Sequence, residues 1–85
     1  MSKPAMTSVT VKYFAALREA ARIPEETIGT EVSTYRGLYR ELATKYSFSL
    51  PEDAIRVAVE DDFAVLDDEL RPGVTVVFIP PVAGG

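Results

Sequence analysis

Val74-Thr75-Val76-Val77-Phe78-Ile79 runs directly into Pro80-Pro81-Val82-Ala83-Gly84-Gly85, and this stretch decides how the rest of the chain must fold. Its first six residues are β-branched or aromatic, which suits a pleated strand. Val74, Val76 and Phe78 fall on one face, and Thr75, Val77 and Ile79 on the other. One face must pack under a helix. The opposite face is also mostly apolar, so either a short helix or loop covers it or it is a docking surface. Proline has no N–H donor, so Pro80-Pro81 ends the ladder and favours a stiff polyproline II tail that lifts off the sheet. Gly84-Gly85 add no side-chain bulk, so the tip suits a narrow site on another protein. The terminal carboxyl, with an ordinary pKa of about 3.3–3.7, is ionised at neutral pH and is a poor electrophile until a partner activates it. Taken alone, a strand stop with a frayed end explains the same residues.

Working back from this strand, Pro72-Gly73 suits the central positions of a type II turn, and Leu70 is placed to plug the core. Ile55 to Val59 alternates as a strand, Glu60-Asp61-Asp62 is a turn, and Phe63 to Leu66 is a short strand back. Asp67-Asp68-Glu69 is a second acidic turn. Either acidic run could bind a hard cation through oxygens, but neither has a calcium-loop spacing and solvated turns explain both.

At the other end, residues 1–7 are small and polar and are expected to fray. Ser8 to Ala15 alternates as a strand, with Val9, Val11 and Tyr13 on one face and Thr10, Lys12 and Phe14 on the other. Residues 16–22 favour a short helix that must stop before Pro24. Glu26 to Thr30 reads as a weaker strand. Thr34, with Ser33 as the alternative, is the N-cap of a longer helix whose stripe is Tyr35, Leu38, Tyr39, Leu42 and Tyr46. Glu41 and Lys45 stand in the favourable order for a pair on that helix. Ser47 to Asp53 reads as a loop around Pro51. One long helix on a small mixed sheet is an α+β roll. Placing the apolar first and last strands side by side in the centre makes them parallel, which is the ubiquitin-like β-grasp arrangement.

The 85 residues allow a single domain, 1–85, with 80–85 as an extended tail, and the 47 % apolar content allows a small core. The absence of Cys and His removes thiol nucleophiles, disulfides, thiolate zinc sites and imidazole bases. No metal site is expected. A net charge of −4 argues against nucleic acid as a partner. No apolar run approaches the ~20 residues of a membrane span. The opening lacks a signal core, so the expected location is cytoplasmic. Arg18 could contact a partner or an anionic ligand, with surface solubility as the default explanation.

Val9-Thr10-Val11-Lys12-Tyr13-Phe14-Ala15-Ala16-Leu17-Arg18-Glu19 resembles the opening strand and helix of the MoaD/ThiS family, and of the small sulfur-carrying subunit of molybdopterin synthase within it. Val76 to Gly85 resembles the signature ending of that subunit, and Ile55 to Gly73 fits in order and spacing. The resemblance implies a sulfur carrier in molybdenum cofactor biosynthesis. An E1-like activating enzyme would spend ATP to adenylate the Gly85 carboxylate. A sulfur donor, such as a cysteine desulfurase or rhodanese-like protein, would then leave a thiocarboxylate there. The tail would insert into the large synthase subunit, within a heterotetramer, and deliver sulfur to a pterin precursor. Gly85 would carry the chemistry, and Gly84, Ala83 and Val82 would pass the channel. Phe78, Pro80 and Pro81 would seat the tail on the partner. The chain would bind no cofactor and act as a non-catalytic sulfur-donor subunit, with the catalytic residues on the large one. Glu60 departs from a family that often has Asn there, and residues 1–7 are extra.

Three other readings use the same tail. The thiamin thiazole carrier also ends in Gly-Gly, but Pro80-Pro81 with the full Thr34–Tyr46 helix favours the pterin carrier over it; a carrier for cysteine synthesis or tRNA thiolation is a further alternative. A ubiquitin-like modifier would join Gly85 to a lysine. A plain β-grasp interaction module would carry an inert tail.

Overall fold

Val11 lies beside Val76 in the middle of a five-stranded mixed sheet, and both side chains are fully buried. They belong to a computed structural model in which residues 6–81 are described. The elements in chain order are β1 (Thr7–Tyr13), α1 (Ala15–Ala21), β2 (Glu25–Thr30), α2 (Tyr35–Tyr46), a 3₁₀ turn (Glu52–Ala54), β3 (Arg56–Val59), β4 (Asp62–Ala64) and β5 (Thr75–Ile79). The sheet order is β2-β1-β5-β3-β4. β1 and β5 are parallel, and every other neighbouring pair is antiparallel. The parallel central pair and the long helix across one face make this the ubiquitin-like β-grasp expected from the strand order.

Alternation along the strands sorts the two faces. Val9, Val11, Tyr13, Val57, Val59, Val76 and Phe78 all turn inward and meet Tyr35, Leu38, Tyr39 and Leu42 of α2. Leu17 and Ala21 bring α1 into the same core. Both helices therefore serve one face. Thr10, Lys12, Arg56, Ala58, Phe63, Thr75, Val77 and Ile79 form the other, where Val77 and Ile79 are half-buried and Phe63 is exposed. Among the described residues no helix covers this second face.

Helix ends follow local chemistry. The Thr34 hydroxyl accepts from the Gly37 amide at 3.1 Å, as an N-cap should. α2 closes on Ser47 in the left-handed region, with its amide bonded to the Ala43 carbonyl. Arg22 closes α1 in the same way, on the Arg18 carbonyl. The pairing of Glu41 with Lys45 gives way to tertiary partners. Glu41 accepts from the Thr30 hydroxyl, and the Lys45 ammonium lies 3.8 Å from Glu26. Glu26 itself accepts from the Tyr13 and Tyr46 hydroxyls, each at 2.6 Å, which ties β1, β2 and α2 together.

The turns bear out much of the reading. Gly73 has φ +78°, the left-handed second position of a type II turn, and its amide bonds the Ser8 carbonyl. Leu70 is buried, as its plug role requires. Between β3 and β4, Glu60 (φ 52°) and Asp61 (φ 73°) are both left-handed, as in a two-residue type I′ hairpin turn. Asn tolerates that region better than Glu. Here Glu60 is used instead as an acceptor for the Thr75 amide at 2.5 Å.

Candidate functional site

The candidate site starts where β5 ends. Ile79 makes the last ladder pair, with Arg56, and the chain passes to Pro80, half-buried, and Pro81, exposed. Around this exit lies an open groove of about 610 Å³ lined by Phe14, Ala15, Ala16, Glu19, Leu50, Ile79, Pro80 and Pro81. All but Glu19 are apolar, so the root of the tail sits in a surface that loses water readily when a partner docks.

Each wall is set by local structure. The chain leaves β1 through Phe14, extended at φ −132°, and enters α1 through Ala15 at φ 51°. A left-handed alanine costs about 1 kcal/mol or more, and burial of Leu17 and Ala21 on the inner side of α1 offsets it. That reversal leaves Phe14 50 % exposed at the groove. On the far side, the Tyr39 hydroxyl donates to the Leu50 carbonyl at 2.7 Å. Phe48 stacks on the Tyr39 ring, with centroids 5.8 Å apart.

The loop carrying Leu50 is also held by charge. Glu52 accepts from the Arg40 guanidinium at 2.5 and 2.7 Å and from Arg36 at 2.7 Å. Arg36 grips Asp67 at 2.6 Å as well. The hydrogen bonds from Arg40, then Arg36, hold the Glu52 carboxyl down at about 2. Asp67 is lowered in turn by its bond from Arg36. Asp68 receives the Val65 amide. The acidic runs are thus employed in turns, and among the described residues no three metal-ligating side chains converge.

Of the residues named from sequence, Pro80 and Pro81 come together at the groove. Arg18 is exposed on α1 but is not part of the groove wall. Phe78 requires a correction. It is completely buried beneath α2, its ring 5.4 Å from that of Tyr39, so it cannot touch a docked partner. Its inward face follows from the same alternation that turns Val76 inward. Val82, Ala83, Gly84 and Gly85 lie outside the described residues. Phe14 and Leu50 were missed, although alternation along β1 had already placed Phe14 on the outer face.

The tail-bearing β-grasp has known counterparts. A model described as ThiS family matches residues 11–85. A Pyrococcus furiosus protein assigned as a molybdopterin converting factor, subunit 1, is 32 % identical at a TM-score of 0.74, covering 89 % of this chain and 99 % of that one. Small archaeal modifier protein 1 of Methanosarcina acetivorans is 25 % identical at a TM-score of 0.73, covering 95 % and 99 %. The Helicobacter pylori complex of subunits 1 and 2 of molybdopterin-converting factor contains a chain with the same fold. It is 22 % identical at a TM-score of 0.59, covering 93 % and 100 %. The chain belongs to the ThiS family, whose members are ubiquitin-like sulfur carriers.

Proposed function

We propose that this chain is the small sulfur-carrier subunit of a molybdopterin synthase. The observation that carries the reading is the 32 % identity to the Pyrococcus furiosus subunit 1 over nearly the whole of both chains. In this reading the Gly85 carboxylate attacks the α-phosphorus of ATP on an E1-like enzyme, and pyrophosphate leaves. The acyl adenylate is then the electrophile that the free carboxylate was not. The outer sulfur of a persulfide donor displaces AMP to form an acyl disulfide, and a second thiol reduces that disulfide to leave the thiocarboxylate. In the large subunit the thiocarboxylate sulfur bonds to a carbon of the pterin precursor, and water then cleaves the acyl–sulfur bond, leaving sulfur on the pterin and a carboxylate on Gly85.

The chain's own residues do the positioning. Pro80 and Pro81 give the tail a stiff root, and the surrounding groove offers the large subunit a dry anchor next to it. The Helicobacter pylori subunit 1 is solved together with subunit 2, which supports the large subunit as the partner here.

The likeness to a small archaeal modifier supports a second reading, in which Gly85 is joined to lysine amines of other proteins. Both readings share activation at Gly85 and differ in the acceptor. Intact mass of the untagged chain after incubation with its host's activating enzyme, ATP and a sulfur donor tests them. Replacement of one oxygen by sulfur, with transfer to the pterin precursor once the large subunit is added, is the expected result. A ladder of covalent conjugates with no thiocarboxylate would establish the modifier instead.

A further inference from the structure

The far end of the sheet carries a second groove, of about 590 Å³, between the β3–β4 hairpin, the start of α2 and the segment leading to Leu70. Its wall includes Glu60, Asp62, Asp68 and Glu69, with Arg71 as the one cation. Two of these carboxylates are engaged, Glu60 by the Thr75 amide and Asp68 by the Val65 amide. Asp62 and Glu69 have no side-chain partner among the described residues, and Arg71 makes no ion pair there to neutralise them. Phe63, 74 % exposed, stands at the rim of this groove.

Tyr35 is the second, independent sign of a ligand. It is only 2 % exposed and lines this groove. Tyr13, Tyr39 and Tyr46 each donate their hydroxyl to an oxygen, whereas the Tyr35 hydroxyl has no partner among the described residues. No side-chain polar atom there is sealed away unpartnered, so the little surface that Tyr35 keeps includes its hydroxyl. A buried ring is thus held with its polar tip facing an acidic groove.

From this arrangement we infer that the groove is a receptor for an arginine side chain presented by a partner protein. Free carboxylates accept a guanidinium in its planar, forked geometry. The Tyr35 hydroxyl oxygen can accept one further N–H. A divalent cation is a poorer fit, because no three carboxylates meet at one point among the described residues. The groove sits at the start of β5, whereas the tail leaves from its end, about 13 Å away at strand rise. An arginine-bearing partner can therefore hold the chain here while the tail is engaged elsewhere, whichever chemistry the tail performs.

The test is amide-resolved NMR titration of the full chain with acetyl-Gly-Arg-Gly-amide, beside the citrulline and lysine versions of the same peptide. Saturable shifts confined to residues 59–64, 68–71 and Tyr35 are expected with the arginine peptide only. The Asp62→Asn, Glu69→Gln double variant should bind about tenfold more weakly or worse. Tyr35→Phe should weaken binding several-fold with an unchanged unfolding midpoint, since that hydroxyl stabilises nothing internal. Absence of saturable shifts, equal binding of the citrulline peptide, or a double variant that binds as well as the parent would overturn the site. Equal binding of the lysine peptide would overturn its assignment to arginine.

Discussion

The Tyr39 hydroxyl donates to the Leu50 carbonyl at 2.7 Å, and this bond joins the main helix to the wall of the groove from which the tail departs. Removing it leaves a partly buried carbonyl without its partner. Tyr39→Phe should lower stability by about 1–2 kcal/mol. For a domain of this size that is a melting-point drop of roughly 4–15 °C. Urea unfolding followed by circular dichroism reads it, and an unchanged midpoint would remove Tyr39 as the anchor of that wall.

Phe14 and Phe78 should separate docking from folding. Phe78→Ala excavates the core and should cost about 3–5 kcal/mol, while its folded fraction keeps a normal groove. Phe14→Ser, at a half-exposed ring, should shift stability by less than about 0.5–1 kcal/mol. Affinity for the large subunit should nonetheless fall about tenfold or more, as expected of an aromatic anchor. Calorimetric titration of each variant below its melting point distinguishes them. Unaltered affinity in Phe14→Ser would exclude the groove from the interface.

Stability should fall in acid, with Glu26 and Glu52 contributing beside Asp67. Burial pushes Glu26 up, but hydrogen bonds from Tyr13 and Tyr46, with Lys45 nearby, outweigh it and leave the group below its ordinary 4.5. Glu52 is held at about 2 by Arg40 and Arg36. Both values are depressed on folding, so the stabilisation is complete above pH 4.5. It is lost as pH drops through the folded values. Unfolding free energy measured between neutral pH and about pH 2 should decline over that acid range, and Glu52→Gln should flatten part of the slope. An identical slope in the variant would show that the Arg36–Glu52–Arg40 network is idle in solution.

Deleting Gly85 should leave the melting temperature within the scatter of a surface change, because the described core is complete without the tail. The same deletion should abolish sulfur loading. Intact mass and a thermal melt on one sample check both, and a loaded truncated chain would refute Gly85 as the carrier atom's site.

Asp61→Gly should stabilise the hairpin. Asp61 sits at φ 73°, where an L-residue is strained and glycine is not. The expected gain is about 0.5–1 kcal/mol, read as a rise in the urea midpoint with an unchanged slope.

Periodicity in the chain determined the layers by itself. The two-residue alternation in β1 and β5 and the stripe of α2 are consequences of side-chain direction, so the inward residues Val11, Val76, Leu38 and Leu42 were legible without coordinates. The cap at Thr34 and the turn at Gly73 were legible because each depends on one residue's own chemistry. β4 is shorter than its apolar run suggests, since at Val65 and Leu66 the chain has already turned toward Asp68, whose carboxylate takes the Val65 amide. The pattern around Phe78 fits two incompatible roles, an inward residue and a partner contact, and burial under Tyr39 decides for the first. What only the tertiary structure decided is which distant residues share a surface. Phe14 and Leu50 meet Pro80 because α1 reverses through Ala15 and Tyr39 holds the Leu50 carbonyl. Tyr35 meets Asp62 and Glu69 because the β3–β4 hairpin folds back beside the start of α2. Local sequence encodes φ, ψ and periodicity, whereas these juxtapositions depend on loop closure between elements far apart in the chain, which no local pattern records.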